Sequence, residues 1–226
     1  MRMLAGKLAT TIGVVGLSAL GLAASPAAAA DDIGWHAGDF VVKAGAAHLI
    51  FDSSAKVDIA GTTVPGGGLK LSDGTAASFE AEYFFTPAIS AAINFGIPTT
   101  TRVTGTGTLA PAGEAGRVKY GIGVAVARYH FNAAGAFSPY LSAGVGHLFI
   151  FDETDGAVTN FKVDDAWAPV VQGGADMHIS DRIGVFANVS YAPLKTDGGG
   201  AIMGAPTTAR VTLNPTVIQG GLFYKF

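Results

Sequence analysis

The sequence predicts an all-β fold, an eight-stranded antiparallel transmembrane barrel, and three observations predict it. Apolar residues alternate with polar or small ones at period 2 along eight segments, the pattern of extended strands. The connections between these segments run long, short, long, short, long, short, long, as in barrels with short periplasmic turns and four long extracellular loops. The last segment, 211–226, sends Ile218, Gly220, Leu222, Tyr224 and Phe226 to one apolar face ending in aromatics, as a strand closing against the first would.

Composition agrees with this class. Residues 1–30 read as a cleaved signal peptide: Arg2 and Lys7 precede an apolar stretch over 8–22, and Ala28-Ala29-Ala30 offers a small-residue cleavage site. Residues 31–226 then form one domain. Removing Arg2 and Lys7 takes the formal charge from −3 to −5, which argues against nucleic acid as a partner. There is no cysteine, so an exported chain of this length relies on its fold and on lipid rather than on disulfides. After residue 30 no run of about 18 apolar residues offers a membrane helix. Yet mean hydropathy is +0.40 and only 14% of residues are charged, which fits strands with one face in lipid.

The elements follow in order. The first strand is expected near 39–51, with Phe40, Val42 and Ala44 on one face and Asp39, Val41 and Lys43 on the other. A polar, Gly-rich loop covers 52–74 around Pro65-Gly66-Gly67-Gly68. The second strand, 75–85, alternates Phe79, Ala81 and Tyr83 against Glu80, Glu82 and Phe84, and Thr86-Pro87 turns the chain. The third, 88–97, aligns Ile89, Ile93, Phe95 and Ile97, and a Thr/Gly/Pro-rich loop fills 98–116. The fourth is expected over 117–131, the fifth over 139–151 after a short link, and an acidic loop over 152–162. The sixth runs over 163–179, Ser180-Asp181-Arg182 turns into the seventh over 183–195, and a Gly-rich loop over 196–207 precedes the last strand.

Few residues carry chemistry. Lys43, Glu80 and Glu82, with Asp39 nearby, share the inward faces of adjacent strands, because a Lys or Arg on the lipid face costs about 2–4 kcal/mol near the midplane. This polar cluster reads as a salt-bridged filling of the barrel or as a selectivity plug toward the periplasm. The lumen face of the fourth strand stays open; placing Arg128 inward also sends Ile122, Val124 and Val126 inward. Asp152, Glu153 and Asp155 lack the spacing of a calcium loop and read as solvated. The histidines lack metal-ligand spacing, and neither a nucleophile elbow nor a phosphate loop is present, so no enzyme, metal or cofactor is expected.

Several short stretches, taken together, resemble the OmpW family of small outer-membrane proteins. They are His36-Ala37-Gly38-Asp39-Phe40, Lys43-Ala44-Gly45-Ala46, Phe137-Ser138-Pro139-Tyr140-Leu141-Ser142-Ala143-Gly144 and Phe151-Asp152. Lys162-Val163-Asp164-Asp165-Ala166-Trp167, Gln172-Gly173-Gly174-Ala175-Asp176, Val211-Thr212-Leu213-Asn214-Pro215 and Tyr224-Lys225-Phe226 continue them in family order. The resemblance implies a narrow, largely hydrophobic lumen that passes small apolar molecules from outside and releases them sideways between strands. It implies that Trp167 faces the lumen and narrows it. Strict alternation from inward Gln172 and Asp176 would instead turn Trp167 to lipid, and a bulge at Pro169 would restore the lumen face. Where the family carries an apolar residue in the third strand, this chain has Asn94, which implies a more polar constriction. Tyr224 and Phe226 resemble the assembly signal by which outer-membrane barrels are recognised by the barrel-assembly machinery.

The expected function is a narrow outer-membrane channel for passive passage of small, mainly hydrophobic molecules, with outer-membrane lipid as its surroundings. The alternative is a structural barrel with a closed lumen, whose loops at 52–74, 98–116 and 152–162 serve as a receptor or adhesion surface for phage, toxins or host molecules.

Overall fold

A computed structural model describes residues 33–226; the expected signal peptide lies outside the described residues. Thirteen strands form one antiparallel sheet: β1 (Phe40–Ile59), β2 (Thr62–Thr63), β3 (Gly67–Leu71), β4 (Gly74–Thr86), β5 (Ile89–Gly96), β6 (Thr99–Gly107), β7 (Glu114–His130), β8 (Phe137–Asp155), β9 (Thr159–Val163), β10 (Ala166–His178), β11 (Ile183–Tyr191), β12 (Leu194–Ile202) and β13 (Ala205–Lys225). Eight of them close a ring in the order β1-β4-β5-β7-β8-β10-β11-β13, with β13 returning to β1. Following ladder partners once around the ring from Phe40 through Tyr83, Ala91, Ala127, Ala143, Val171, Tyr191 and Thr216 returns to Ile50. That stagger tilts the strands to about 40° from the barrel axis, the usual geometry for eight strands.

Closure rests on the last strand. β13 pairs with β1 from Val41↔Lys225 to Ile59↔Thr207, and Phe226 N donates to Phe40 O at 3.0 Å. The apolar faces point outward. Phe40, Tyr83, Phe85, Tyr129, Phe131, Tyr224 and Phe226 are exposed at the short-turn end, with Phe40–Phe226 and Tyr224–Phe226 ring pairs 5.9 and 4.8 Å apart. Phe95, Phe149, Phe151, Trp167 and Tyr191 form a second exposed aromatic belt nearer the loops, with Ile93, Leu141, Val145, Val189 and Leu222 between the belts. An aliphatic band between two aromatic girdles is the lipid-facing surface of a membrane barrel.

The long connections are not irregular loops. β1, β7, β8 and β13 continue beyond the membrane band, and β2, β3, β6, β9 and β12 add hairpin walls to them. The Thr- and Gly-rich composition masks an inward alternation, in which Val57, Val103, Val118, Phe161 and Leu213 are buried on the inner side. Tight turns make this possible: Met203 and Gly204 at the β12–β13 tip have φ of 48° and 81°, as a two-residue type I′ hairpin requires.

Candidate functional site

The lumen has three storeys, each set by which residues the period-2 pattern turns inward. At the short-turn end the lead segment folds back, and Trp35 enters the barrel mouth. Its ring lies 4.6 Å from Phe84 in a stacked arrangement, 4.3 Å from His178 and 5.2 Å from Phe223. Trp35 N donates to Ala133 O at 2.8 Å, and Lys225 Nζ donates to Gly34 O at 2.8 Å. Gly34 has φ of 148°, and a Cβ there would lie 2.7 Å from Ala133 O, so the segment is threaded where only glycine fits. Trp35→Ala is expected to lower stability by about 3–5 kcal/mol, the range for a buried large aromatic, measured as the urea midpoint of the heat-shifted gel band. A midpoint equal to wild type would mean that the mouth is not packed by this side chain.

Above the tryptophan lies a layer of buried charge. Lys43 Nζ sits 2.7 Å from Asp176 Oδ1, 3.0 Å from Glu82 Oε2 and 3.5 Å from Glu80 Oε1. Arg128 Nη1 reaches Glu80 Oε1 at 2.9 Å and Glu82 Oε2 at 2.7 Å, while Nη2 donates to Glu80 Oε2 and Gln172 Oε1 and Nε to Ser142 Oγ. His130 Nε2 lies 3.1 Å from Glu82 Oε1, which also accepts from Ser90 Oγ. The Arg128 guanidinium stacks 4.1 Å over the Tyr140 ring. All five N–H groups of Arg128 are thereby used, Lys43 Nζ is enclosed by three carboxylates, and the layer spans the lumen from β1 and β4 across to β7 and β10. Glu82, His130 and Asp176 approach within 4.8 Å of one another, a spacing that could hold a metal ion, but Lys43 Nζ already bridges both carboxylates.

Toward the loops the lumen turns apolar. A cavity of about 1050 Å³, counted with its open mouth, is lined by residues such as Phe51, Leu69, Val118, Leu148, Phe161 and Leu213. Ile122 is common to this funnel, to a cavity of about 680 Å³ above the charged layer, and to a side cavity of about 420 Å³. The side cavity lies against Ala168, Val170, Ala192 and Leu194.

Behind those four residues the barrel wall is incomplete. The β10–β11 ladder ends at Val171↔Tyr191, and β10 rejoins the next strand only where Asp164 N donates to Asp197 O at 2.9 Å. Among the described residues no ladder pair links 166–170 to 192–195. Ile179 N donates to Ile183 O and Ala192 N to Pro215 O, so odd residues of β10 and β11 aim their peptide groups at each other. Extending the register from Val171↔Tyr191 places Pro169 opposite Pro193, and neither has an N–H to give. A rung that should hold two hydrogen bonds holds none.

The expected site residues fall as follows. Lys43, Glu80 and Glu82 lie together in the charged layer, joined by Arg128, Asp176 and His130. Asp39 is not part of that layer: it sits at the short-turn rim, accepts from His36 N at 2.8 Å and lies 3.7 Å from Lys225 Nζ. Asn94 faces the lumen, donating to Gln219 Oε1 at 3.1 Å and to Glu80 Oε2 at 3.4 Å. Trp167 does not face the lumen. It is 69% exposed on the lipid side, with its ring 4.2 Å from His147, because β8 pairs with β10 without a register shift from Ala166 to Met177. Pro169 needs no bulge, since its missing donor falls on the side where the ladder is already open. Tyr224 and Phe226 lie on the outward face of the closing strand.

Trp35 escaped the sequence reading, and Arg128 was left with its face open. Arg128 could have been found by demanding a cation opposite the inward Glu80 and Glu82. Trp35 lies in a lead segment too short for periodicity, and only its isolation among small residues could have drawn attention to it.

A closed eight-stranded barrel with aromatic girdles, an apolar funnel and a charged floor is an outer-membrane protein of the small-barrel class. The OmpW family model matches residues 36–226, and the chain belongs to that family. The dibenzothiophene metabolism operon protein PahQ of Pseudomonas aeruginosa is 36% identical over 182 residues, covering 80% of this chain and 86% of that one. The outer membrane protein AlkL of Ectopseudomonas oleovorans is 26% identical over 198 residues, covering 87% and 86%. The fold matches the crystal structure of the outer membrane protein OprG from Pseudomonas aeruginosa with a TM-score of 0.81 at 23% identity, over 86% of this chain and 99% of that one.

Proposed function

We propose that this protein is a narrow passive channel for small, mainly hydrophobic molecules, which enter from the loop side and leave sideways into the membrane through the seam between 166–170 of β10 and 192–195, where the β10–β11 ladder has ended. The observation that carries the reading is an apolar funnel ending blind on a charged floor. Of the routes out of the funnel, the floor is the costly one: parting its ion pairs would expose charges whose desolvation costs several kcal/mol each. The side cavity, in contrast, meets a stretch of wall with no ladder bonds, lined there by Ala168, Val170, Ala192 and Leu194. An apolar solute gains about 25 cal/mol for each Å² it removes from water, both in the funnel and in lipid, so the path runs downhill without an energy source. The name of PahQ sets that relative beside dibenzothiophene metabolism, which accords with an apolar, ring-containing cargo.

The test is uptake into proteoliposomes of size-matched apolar and polar solutes, for wild type, Trp167→Ala and Ala168→Trp, which fills the side cavity. Faster apolar uptake than in empty vesicles, unchanged by Trp167→Ala and suppressed by Ala168→Trp, is expected. Equal rates in empty and protein-containing vesicles, with the protein folded by its heat-shifted band, would end the channel reading.

A further inference from the structure

The cavity above the charged layer is apolar on its walls, through side chains such as Ile122 and Val217, but not at its base. There Gln219 Nε2 donates to Ser78 Oγ at 2.7 Å, and Asn94 Nδ2 donates to both Gln219 Oε1 and Glu80 Oε2. A carboxylate and an amide oxygen accept only, so the Asn94 amide is turned with its nitrogen toward them. Its Oδ1 is thereby left without a partner among the described residues. Ser190 Oγ lines the same cavity and makes no hydrogen bond among the described residues. Tyr120, 4% exposed, lines both this cavity and the funnel, and its hydroxyl is buried without a partner. Buried polar groups normally find partners, so the buried Tyr120 hydroxyl, with the half-buried Asn94 Oδ1 and Ser190 Oγ on the same apolar path, calls for a ligand that supplies them.

The charged layer narrows the chemistry further. All five N–H groups of Arg128 are taken, Lys43 Nζ is enclosed by Asp176, Glu82 and Glu80, and Glu80 presents its carboxylate beside Asn94, so an incoming anion would meet carboxylates first. A carboxylate ligand would lose its hydration and meet repulsion. A pure hydrocarbon would bury Asn94 Oδ1 and leave it unsatisfied.

We propose that the barrel selects, among the apolar molecules its funnel admits, those carrying one uncharged hydroxyl: aromatic alcohols and phenols rather than hydrocarbons or acids. Asn94 is the specificity-determining residue, accepting the ligand's O–H through Oδ1, with the Ser190 and Tyr120 hydroxyls as further partners at the base and at the throat. The inference rests on the channel reading and assigns its substrate class.

Equilibrium binding separates the two. Purified protein in lipid nanodiscs is titrated with 1-naphthol, 1-methylnaphthalene and 1-naphthoate, and the partition into empty nanodiscs is subtracted. Wild type is expected to bind naphthol about 3- to 10-fold more tightly than methylnaphthalene, the range for one net hydrogen bond, with naphthoate weakest. Asn94→Leu is expected to remove that preference by tightening methylnaphthalene and weakening naphthol. Tyr120→Phe and Ser190→Ala, which delete hydroxyls the protein itself does not use, are expected to fold normally and reduce the preference in part. Equal binding of naphthol and methylnaphthalene by wild type overturns the inference and leaves the channel standing. So does a preference that all three variants keep. Binding of none of the three ligands overturns both.

Discussion

Replacing Arg128 with leucine is expected to lower the stability of the folded barrel by about 3–5 kcal/mol, the range for removing one partner of a buried charged group. Arg128 is 2% exposed and holds Glu80 and Glu82 through three of its five hydrogen bonds. Without it, Lys43, with His130 against Glu82, faces three buried carboxylates, Glu80, Glu82 and Asp176. Because the carboxylates and not the arginine carry the penalty, Arg128→Leu combined with Glu80→Leu is expected to recover part of the loss. The measurement is the urea midpoint of the heat-shifted gel band for the single and double variants. A single variant as stable as wild type would mean that water reaches the layer and screens it. In that case the floor of the funnel would not be a barrier to an apolar solute.

How much of this was legible in the sequence differs by residue. The ring strands could be read because lipid enforces a strict alternation, and a one-residue slip would turn every side chain to the wrong side. Phe79, Tyr83, Ile93 and Leu222 are therefore outward, as their parity required. Lys43, Glu80 and Glu82 were legible for the same reason, since a charge has only one affordable direction. Arg128 was not fixed, because the neighbouring Gly121-Ile122-Gly123-Val124-Ala125 offers apolar or small residues to both faces. Trp167 shows parity prevailing over resemblance: continuous pairing from Ala166 to Met177 turns it to lipid. The loop walls were hidden by composition. Thr and Gly between Val57, Leu69 and Val103 read as turn residues, whereas their neighbours across the sheet make them strands. Asn94 alone was visible both as a lumen residue and as an unusual one.

The funnel, the floor and the seam depend on one another. A funnel with an open floor would leak water and ions, and a closed funnel with a fully laddered wall would trap its ligand. On the proposed channel reading, only an opening toward lipid makes a blind apolar cavity a pathway, and the two prolines lie where the ladder ends. Pro169→Val with Pro193→Val returns two N–H donors to facing positions and is expected to close the seam. Two backbone hydrogen bonds, each worth about 1 kcal/mol net, stabilise the closed wall by about 2 kcal/mol, which slows sideways exit by about 30-fold. Apolar uptake into proteoliposomes is expected to fall accordingly, while binding of the same solute in nanodiscs stays unchanged because the funnel is untouched. Pro139→Val, in β8 opposite Ala175 and away from the seam, serves as the control and is expected to leave uptake at the wild-type rate. If the double variant also transports at that rate, the exit lies elsewhere in the wall. If it loses binding together with uptake, the two prolines shape the cavity instead of its door.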